Sequence, residues 1–391
     1  MIKVPLNLMI LTNYFAIEPR NIKGGIGYRY VGLYGSSVKT LLKISPESKV
    51  FWYSHLDKSL RIIHLKKMMT HRTSMIKALL YAILTTLREG KYLAVVIAFP
   101  YAVPKVSAIL WYILSLVILR CFAITRVKII IDDFDPPVEI SYAFSKTRPS
   151  TLSVIYGRAI EMLTLKSASL IITVSNSLKQ YLAEVYHVRK EKILIIPNGC
   201  LVRFIRCIPP KTKGPLAILY SGSIMKTKNI DKLLSVVESV RNKGLDISIV
   251  LTGKLVDVSL PEWAVQKQVE DWIYYVKDHL EKSDVCVIPY PSKLFWNLTL
   301  LAKLFDYMAA GKPIISTNLK ETGNIIKTFN CGLIAKDWKE FEQHIERLYQ
   351  DRELAIKLGE NGRKAAERYF DYEKLAKNFL ATLIEMFRES S

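Results

Sequence analysis

The sequence predicts an α/β protein made of two doubly wound halves. Strand-like runs alternate with helical patterns along almost the whole chain, the order that builds parallel sheets covered by helices. Several of these runs are near-continuously apolar, as strands buried on both faces are. At 391 residues the chain also exceeds the size at which a single core keeps growing, so two domains are expected.

In the first half, LNLMILT, KVFWYSH, YLAVVIAF, VKIIID, LIITVS and KILIIP read as strands. Helical spacing recurs over 30–43, 72–88, 107–122, 152–166 and 177–186. In the second half the strands are LAILYSG, DISIVLTG, DVCVIPY and KPIIST, with helices over 229–242 and 299–310. The joint is expected after Ile196-Pro-Asn-Gly199, because CLVRFIRCIPPKTKG carries Pro209, Pro210 and Gly214 without a clear period. From Trp338 the chain reads as helical, with Gly359 and Gly362 dividing it into at least three helices.

Composition narrows the partners. The net charge is +21 and the pI near 9.6, which suits an anionic partner: nucleic acid, an anionic membrane or a phosphorylated substrate. Cys121, Cys200, Cys207, Cys286 and Cys331 are odd in number and scattered, so a reducing cytoplasmic compartment is expected. No CxxC or HExxH occurs, and no metal is expected. The N-terminus reads as a strand rather than a signal peptide. The apolar run Val106–Leu119 is shorter than the roughly 20 residues of a spanning helix, leaving a core helix or one lying in a membrane interface.

The most informative segment is LAKLFDYMAAGKPIIST, 301–317. Leu301, Leu304, Phe305 and Met308 form an apolar helix face, Gly311 suits a left-handed C-terminal cap, and Pro313 starts a buried strand. Lys303 and Asp306 are expected on one side of the helix, with Asn297 and Thr299 placed to cap an N-terminus aimed at an anion. Upstream, Tyr220-Ser-Gly-Ser-Ile-Met-Lys-Thr-Lys-Asn229 joins a strand to a helix: either Gly222 and Lys228 approach a phosphate, or this is an ordinary basic loop. Lys23-Gly-Gly-Ile-Gly27 is a second glycine loop, open to ligand approach or a tight turn. Asp132-Asp-Phe-Asp-Pro-Pro closes a strand, where Asp133 and Asp135 either contact an acceptor hydroxyl or metal, or stabilise a capped turn. The basic stretch Lys66–Lys77, rich in Met, is read as an anionic-lipid contact or a solvated helix face.

In order and spacing, GGIG, TVSNSLKQYL, ILIIPNG, YSGSIMKTKNIDKLL, VCVIPYP, LAKLFDYMAAGKPIIST and the tail LYQDRELAIKLGENGRKAAERYF resemble the family 4 glycosyltransferases of the GT-B fold. The resemblance implies two Rossmann-like domains facing across a cleft: an acceptor domain over 1–203, a nucleotide-sugar donor domain over 204–370, and a C-terminal helix over 371–391 packing back on the first. It implies a retaining glycosyltransferase, a hexosyltransferase, that needs no cofactor beyond the nucleotide-sugar co-substrate and acts on a glycan or lipid-linked acceptor, without nucleic acid. A peripheral position at the cytosolic membrane face is expected.

By the same resemblance Lys228 neutralises the donor diphosphate, and Gly24 and Gly25 form the loop that approaches it. Gly222 and Ser223 line the site; Ser223 stands where the family often has arginine, with Lys226 the candidate replacement. Asp306 takes the acidic position that holds the ribose. Leu298 replaces the other acidic position of that motif, so Asn297, Thr299 and the amides of Leu300 and Leu301 are the substitutes. Lys228, Asp133 and Asp135 are the candidate catalytic residues, with no general base assigned. A sugar-nucleotide epimerase or phosphorylase of the same fold, or a non-catalytic basic binding protein on this scaffold, are the alternatives.

Overall fold

The structure is a computed structural model that describes residues 5–12, 29–64, 67–99, 117, 126–144, 148–269 and 271–389. The chain divides into two compact units. One holds β1 and the chain from Leu33 to Pro197, together with the C-terminal stretch from Leu375; the other holds Asn198–Lys374 with a short piece ending at Gly32.

The strands of the first unit are β1 (Leu6–Thr12), β2 (Val50–Ser54), β3 (Ser59–His64), β4 (Lys67–Arg72), β5 (Tyr92–Phe99), β6 (Val127–Asp133), β7 (Leu170–Thr173) and β8 (Ile193–Ile195). They lie in the order β4-β3-β2-β1-β5-β6-β7-β8. Pairing is parallel from β2 through β8, with Ile10 opposite both Trp52 and Val96. All seven residues of β1 are buried, because helices cover both faces and leave no polar side to alternate with.

The edge pair β3 and β4 is antiparallel and was not anticipated. Every residue of β4 is exposed, so its sequence shows no apolar period. The basic stretch read as a solvated helix face is therefore, over 67–72, an exposed edge strand; the helix begins only at Met75, where Ser74 accepts from the Lys77 amide. The Val106–Leu119 run lies outside the described residues except for Val117. Among the described residues no helix is long and apolar enough to cross a membrane.

The second unit is parallel throughout. Its strands are β9 (Leu216–Ser221), β10 (Ile247–Thr252), β11 (Ala264–Lys267), β12 (Val285–Ile288), β13 (Ile314–Thr317) and β14 (Gly332–Ala335), in the order β11-β10-β9-β12-β13-β14. The segment read as a linker is fastened to this unit. Arg206 pairs with Glu281 at 2.7 Å, and the Lys211 amide donates to Asp284 at 2.9 Å. Lys312, fully buried, donates from Nζ to the carbonyls of Ile208, Glu281 and Ser283 at 2.7, 3.0 and 2.5 Å.

Gly311 takes φ +69° after the helix Ala302–Ala309, so the expected stop and the strand after it are present. Gly359 and Gly362, however, do not break the tail. Both lie inside the helix Arg352–Tyr369, and the breaks fall at Asp351 and Phe370. Their role is close packing: a Cβ on Gly359 would come 2.0 Å from the Gly311 carbonyl oxygen, and one on Gly362 3.3 Å from the Met308 Cα.

Candidate functional site

The chain of the second unit starts its sheet at β9, adds β10 and β11 on one side, and then places β12 to β14 on the other. Loops leaving the two strands at such a switch diverge and open a crevice at their carboxyl ends. Those strands are β9, ending at Ser221, and β12, ending at Ile288.

Gly222 follows β9 at φ +129°, and a Cβ there would come 2.7 Å from Lys303 Nζ. On its other side the backbone is equally tight, since a Cβ on Gly253 would meet the Gly222 carbonyl oxygen at 2.3 Å. Tyr220 Oη steadies the loop by donating to the Ser223 carbonyl at 2.9 Å. A 3₁₀ turn over Lys226–Lys228 and a left-handed Asn229 then lead into the helix Ile230–Asn242. Asn229 Nδ2 donates to the Pro289 carbonyl at 3.0 Å, which ties this turn to the exit of β12.

Two lysines meet at this crevice. Lys228 is 6% exposed, with Nζ 5.4 Å from the ring centroid of Tyr290 and 6.0 Å from that of Trp296. Burial pushes its ammonium down to about 8. Lys303, from the helix Ala302–Ala309, donates to the Ser221 carbonyl and, at 2.6 Å, to the Tyr290 hydroxyl. Its Nζ lies 4.7 Å from the Tyr220 centroid and 4.8 Å from that of Tyr290. Burial first, and then the Lys228 charge, hold it well below the usual lysine range. An anion with two or more negative charges would let both groups keep their protons.

Gly222, Ser223 and Lys228 thus come together as expected positions of one loop. Lys226 does not join them: its side chain is exposed, and its amide donates to Asp257 at 2.9 Å. The helix begins at Ala302 with Leu301 as its N-cap, not at Thr299. Thr299 is buried as the cap that ends the preceding Leu294–Leu298 turn, and its hydroxyl donates to the Phe295 carbonyl at 3.1 Å. Asn297 spans Ser292 and the Lys320 amide, on the wall of a cavity of about 330 Å³. Neither residue caps the anion-facing helix. Leu300 is buried and its carbonyl accepts from Asn198 Nδ2 at 2.7 Å, while the helix's first-turn amides start one residue beyond Leu301.

Asp306 lies on the same helix. It is 1% exposed and faces the indole of Trp272, whose Nε1 lies 3.5 Å from Oδ2, whereas Lys303 reaches Ser221 and Tyr290. Three residues advance a helix by ~300°, so the two side chains diverge by ~60° and reach different surroundings. Sequence reasoning singled out Lys303 on its helix without giving it a role in the site, and it did not single out Tyr290 or Trp296 or give Tyr220 a role. Aromatic residues clustered just after the strand VCVI are the local signal for Tyr290 and Trp296.

In the first unit the acidic residues stay within reach of one another but meet different partners. Asp132 is buried and accepts from the Tyr34 hydroxyl. Asp133 is buried beside Glu161, and burial followed by the Glu161 charge raises its carboxyl well above the usual range. Glu161 is itself pushed up to about 7, chiefly by burial, and accepts from Tyr186 Oη. Arg158 links this group to Glu139, Tyr181 and Tyr186. Asp133 is therefore a buried acid beside Glu161 rather than a group open to solvent, and the half-buried Asp135 adds a like charge that raises it further. Gly24 and Gly25 lie outside the described residues. Among those residues no group of three or more His, Cys, Asp or Glu is placed to hold a metal.

The sequence matches two family models: Glycosyltransferase Family 4 over residues 114–200 and Glycosyl transferases group 1 over residues 215–351. Together they cover more than half of the chain. The chain belongs to the family 4-type glycosyltransferases of GT-B fold. It is 24% identical over 233 residues to the capsular polysaccharide biosynthesis glycosyltransferase CapM of Staphylococcus aureus, covering 54% of this chain and 60% of that protein. Its matches span about half the length of the curated relatives. Among solved structures, sucrose-phosphate synthase from Thermosynechococcus elongatus aligns with a TM-score of 0.69 at 15% identity, covering 99% of this chain and 100% of that one. The Anabaena protein Alr3699/HepE, solved in complex with UDP, aligns with a TM-score of 0.57 at 12% identity, covering 97% and 99%.

Proposed function

We propose that this chain is a retaining glycosyltransferase that binds the diphosphate of a nucleotide-sugar in its second unit and passes the sugar to a glycan or lipid-linked acceptor. The observation that carries this reading is Lys228, buried in the first turn after the Gly222 loop at the switch point of the sheet. Departure of the diphosphate is the demanding step, and cations already in place stabilise the charge that develops on it. With retention, an oxygen of the departing phosphate takes the acceptor proton, and no side chain is required as general base. Net charge of +21 supports work at an anionic membrane surface, where a lipid-linked acceptor would be presented.

A melting-shift screen with UDP, GDP and ADP and their sugar conjugates tests the donor side. A bound nucleotide raises Tm by mass action; a flat response to all of them refutes the reading. Sedimentation with phosphatidylserine vesicles at low and high salt tests the membrane side. Absence of sedimentation at low salt removes it.

A further inference from the structure

Lys303 sits at the same switch point as the Gly222 loop but arrives from a different helix. Its stem crosses to Ser221, the last residue of β9, and to the hydroxyl of Tyr290, two residues beyond β12. It therefore joins the two diverging strand ends that define the crevice. Both of its hydrogen-bond acceptors are neutral oxygens. The charge of Lys228 acts on it, and Lys228 and Lys303 stand 5.4 and 4.8 Å from the centroid of one ring, that of Tyr290.

Two ammonium groups sharing an aromatic ring in a largely buried place repel each other and are poorly solvated. Such a pair is stabilised by a ligand carrying two or more negative charges. Glycine at 222 leaves the approach to Lys303 clear, because any Cβ would stand 2.7 Å from its Nζ.

We propose that Lys303 is a second diphosphate-binding residue, which with Lys228 grips the two phosphoryl groups of the donor. This rests on the donor reading above and assigns to that site a residue distant from its loop in sequence. Burial and the Lys228 charge lower the Lys303 pKa and a bound dianion raises it, so binding takes up protons at pH values between the free and the bound pKa. Tyr290 holds Lys303 in position through its hydroxyl and is a positioning residue.

The test is calorimetric titration with UDP, GDP and ADP, followed by the monophosphate and the nucleoside of whichever binds best. A hydrogen bond to a charged group corresponds to roughly a 10- to 100-fold change in affinity. Lys303→Met is expected to weaken the diphosphate by about that factor while leaving the nucleoside unchanged, and Lys303→Arg to retain most of the affinity. Tyr290→Phe is expected to give a smaller loss in the same direction. Titration in two buffers of different ionisation enthalpy should show proton uptake in the parent protein and less in Lys303→Met. Equal diphosphate affinity in Lys303→Met and parent overturns this proposal alone. So does an equal loss of diphosphate and nucleoside binding, which marks a structural role. Failure of the parent protein to bind any diphosphate overturns the donor reading as well.

Discussion

Replacing Lys228 by methionine should stabilise the free protein while destroying its proposed task. The folded state holds the Lys228 proton only up to about 8, against 10.5 for the ordinary side chain. The unfolded chain thus binds more protons between those values, and parent stability rises with pH across that window. At pH 7 the cost of keeping the buried ammonium charged is about 3 kcal/mol, and at pH 9.5 it falls to about 1.4 kcal/mol. Methionine keeps the apolar stem against Tyr290 and Trp296 and removes the charge. A unit of this size shifts by about 2–4 °C per kcal/mol, so Lys228→Met should melt roughly 6–12 °C higher at pH 7 without ligand. The gain should shrink to less than half of that at pH 9.5, and calorimetry at the two pH values measures both. Nucleoside diphosphate should no longer raise its Tm. A variant that melts lower than the parent, or whose gain is independent of pH, would refute the argument that burial of an ammonium is the governing cost.

Other consequences concern the scaffold. Glu161 is raised to about 7 and Asp133 is raised beside it, so the folded first unit binds more protons than the unfolded chain between about 4.5 and 7. Its stability should fall as pH rises through that window, and Glu161→Gln should flatten the profile; a pH series of urea midpoints reads this. Lys312→Met leaves three carbonyls without their donor and should cost about 2–4 kcal/mol, seen as a lower urea midpoint for the second unit. An unchanged midpoint would show that water replaces the ammonium. Gly359→Ala drives a methyl against the Gly311 carbonyl and should cost at least about 2 kcal/mol, whereas alanine at exposed Gly244 meets no atom but strains a φ of +84°. Circular dichroism melts of the two variants separate packing from backbone strain.

The parallel core was legible because its strands are apolar on both faces and alternate with helices of period 3.6. Strands β3, β4, β11 and β14 escaped; β4, β11 and β14 have exposed or half-buried positions and so carry no such run. Gly359 and Gly362 misled for a related reason: glycine lowers helix propensity, yet here the contact with Gly311 and Met308 outweighs that preference. Within the site, the Gly222 and Lys228 loop could be read because strand, glycine, lysine and helix are consecutive. The contact of Asp306 with the Trp272 indole could not, because which neighbour a residue of an amphipathic helix meets depends on where the helix begins and what packs on it.

By itself the sequence determined the family, the alternating order of elements and the loop that carries Lys228, all properties of local pattern. Tertiary structure alone decided which distant groups share that loop's surroundings. Lys303 lies 75 positions from Lys228, and Tyr290 brings them to one ring only because β9 and β12 are neighbours in the sheet. The same kind of long-range packing turned Asp133 inward to Glu161. Charge and burial are set by what surrounds a side chain, and those surroundings exist only once the strands have taken their order.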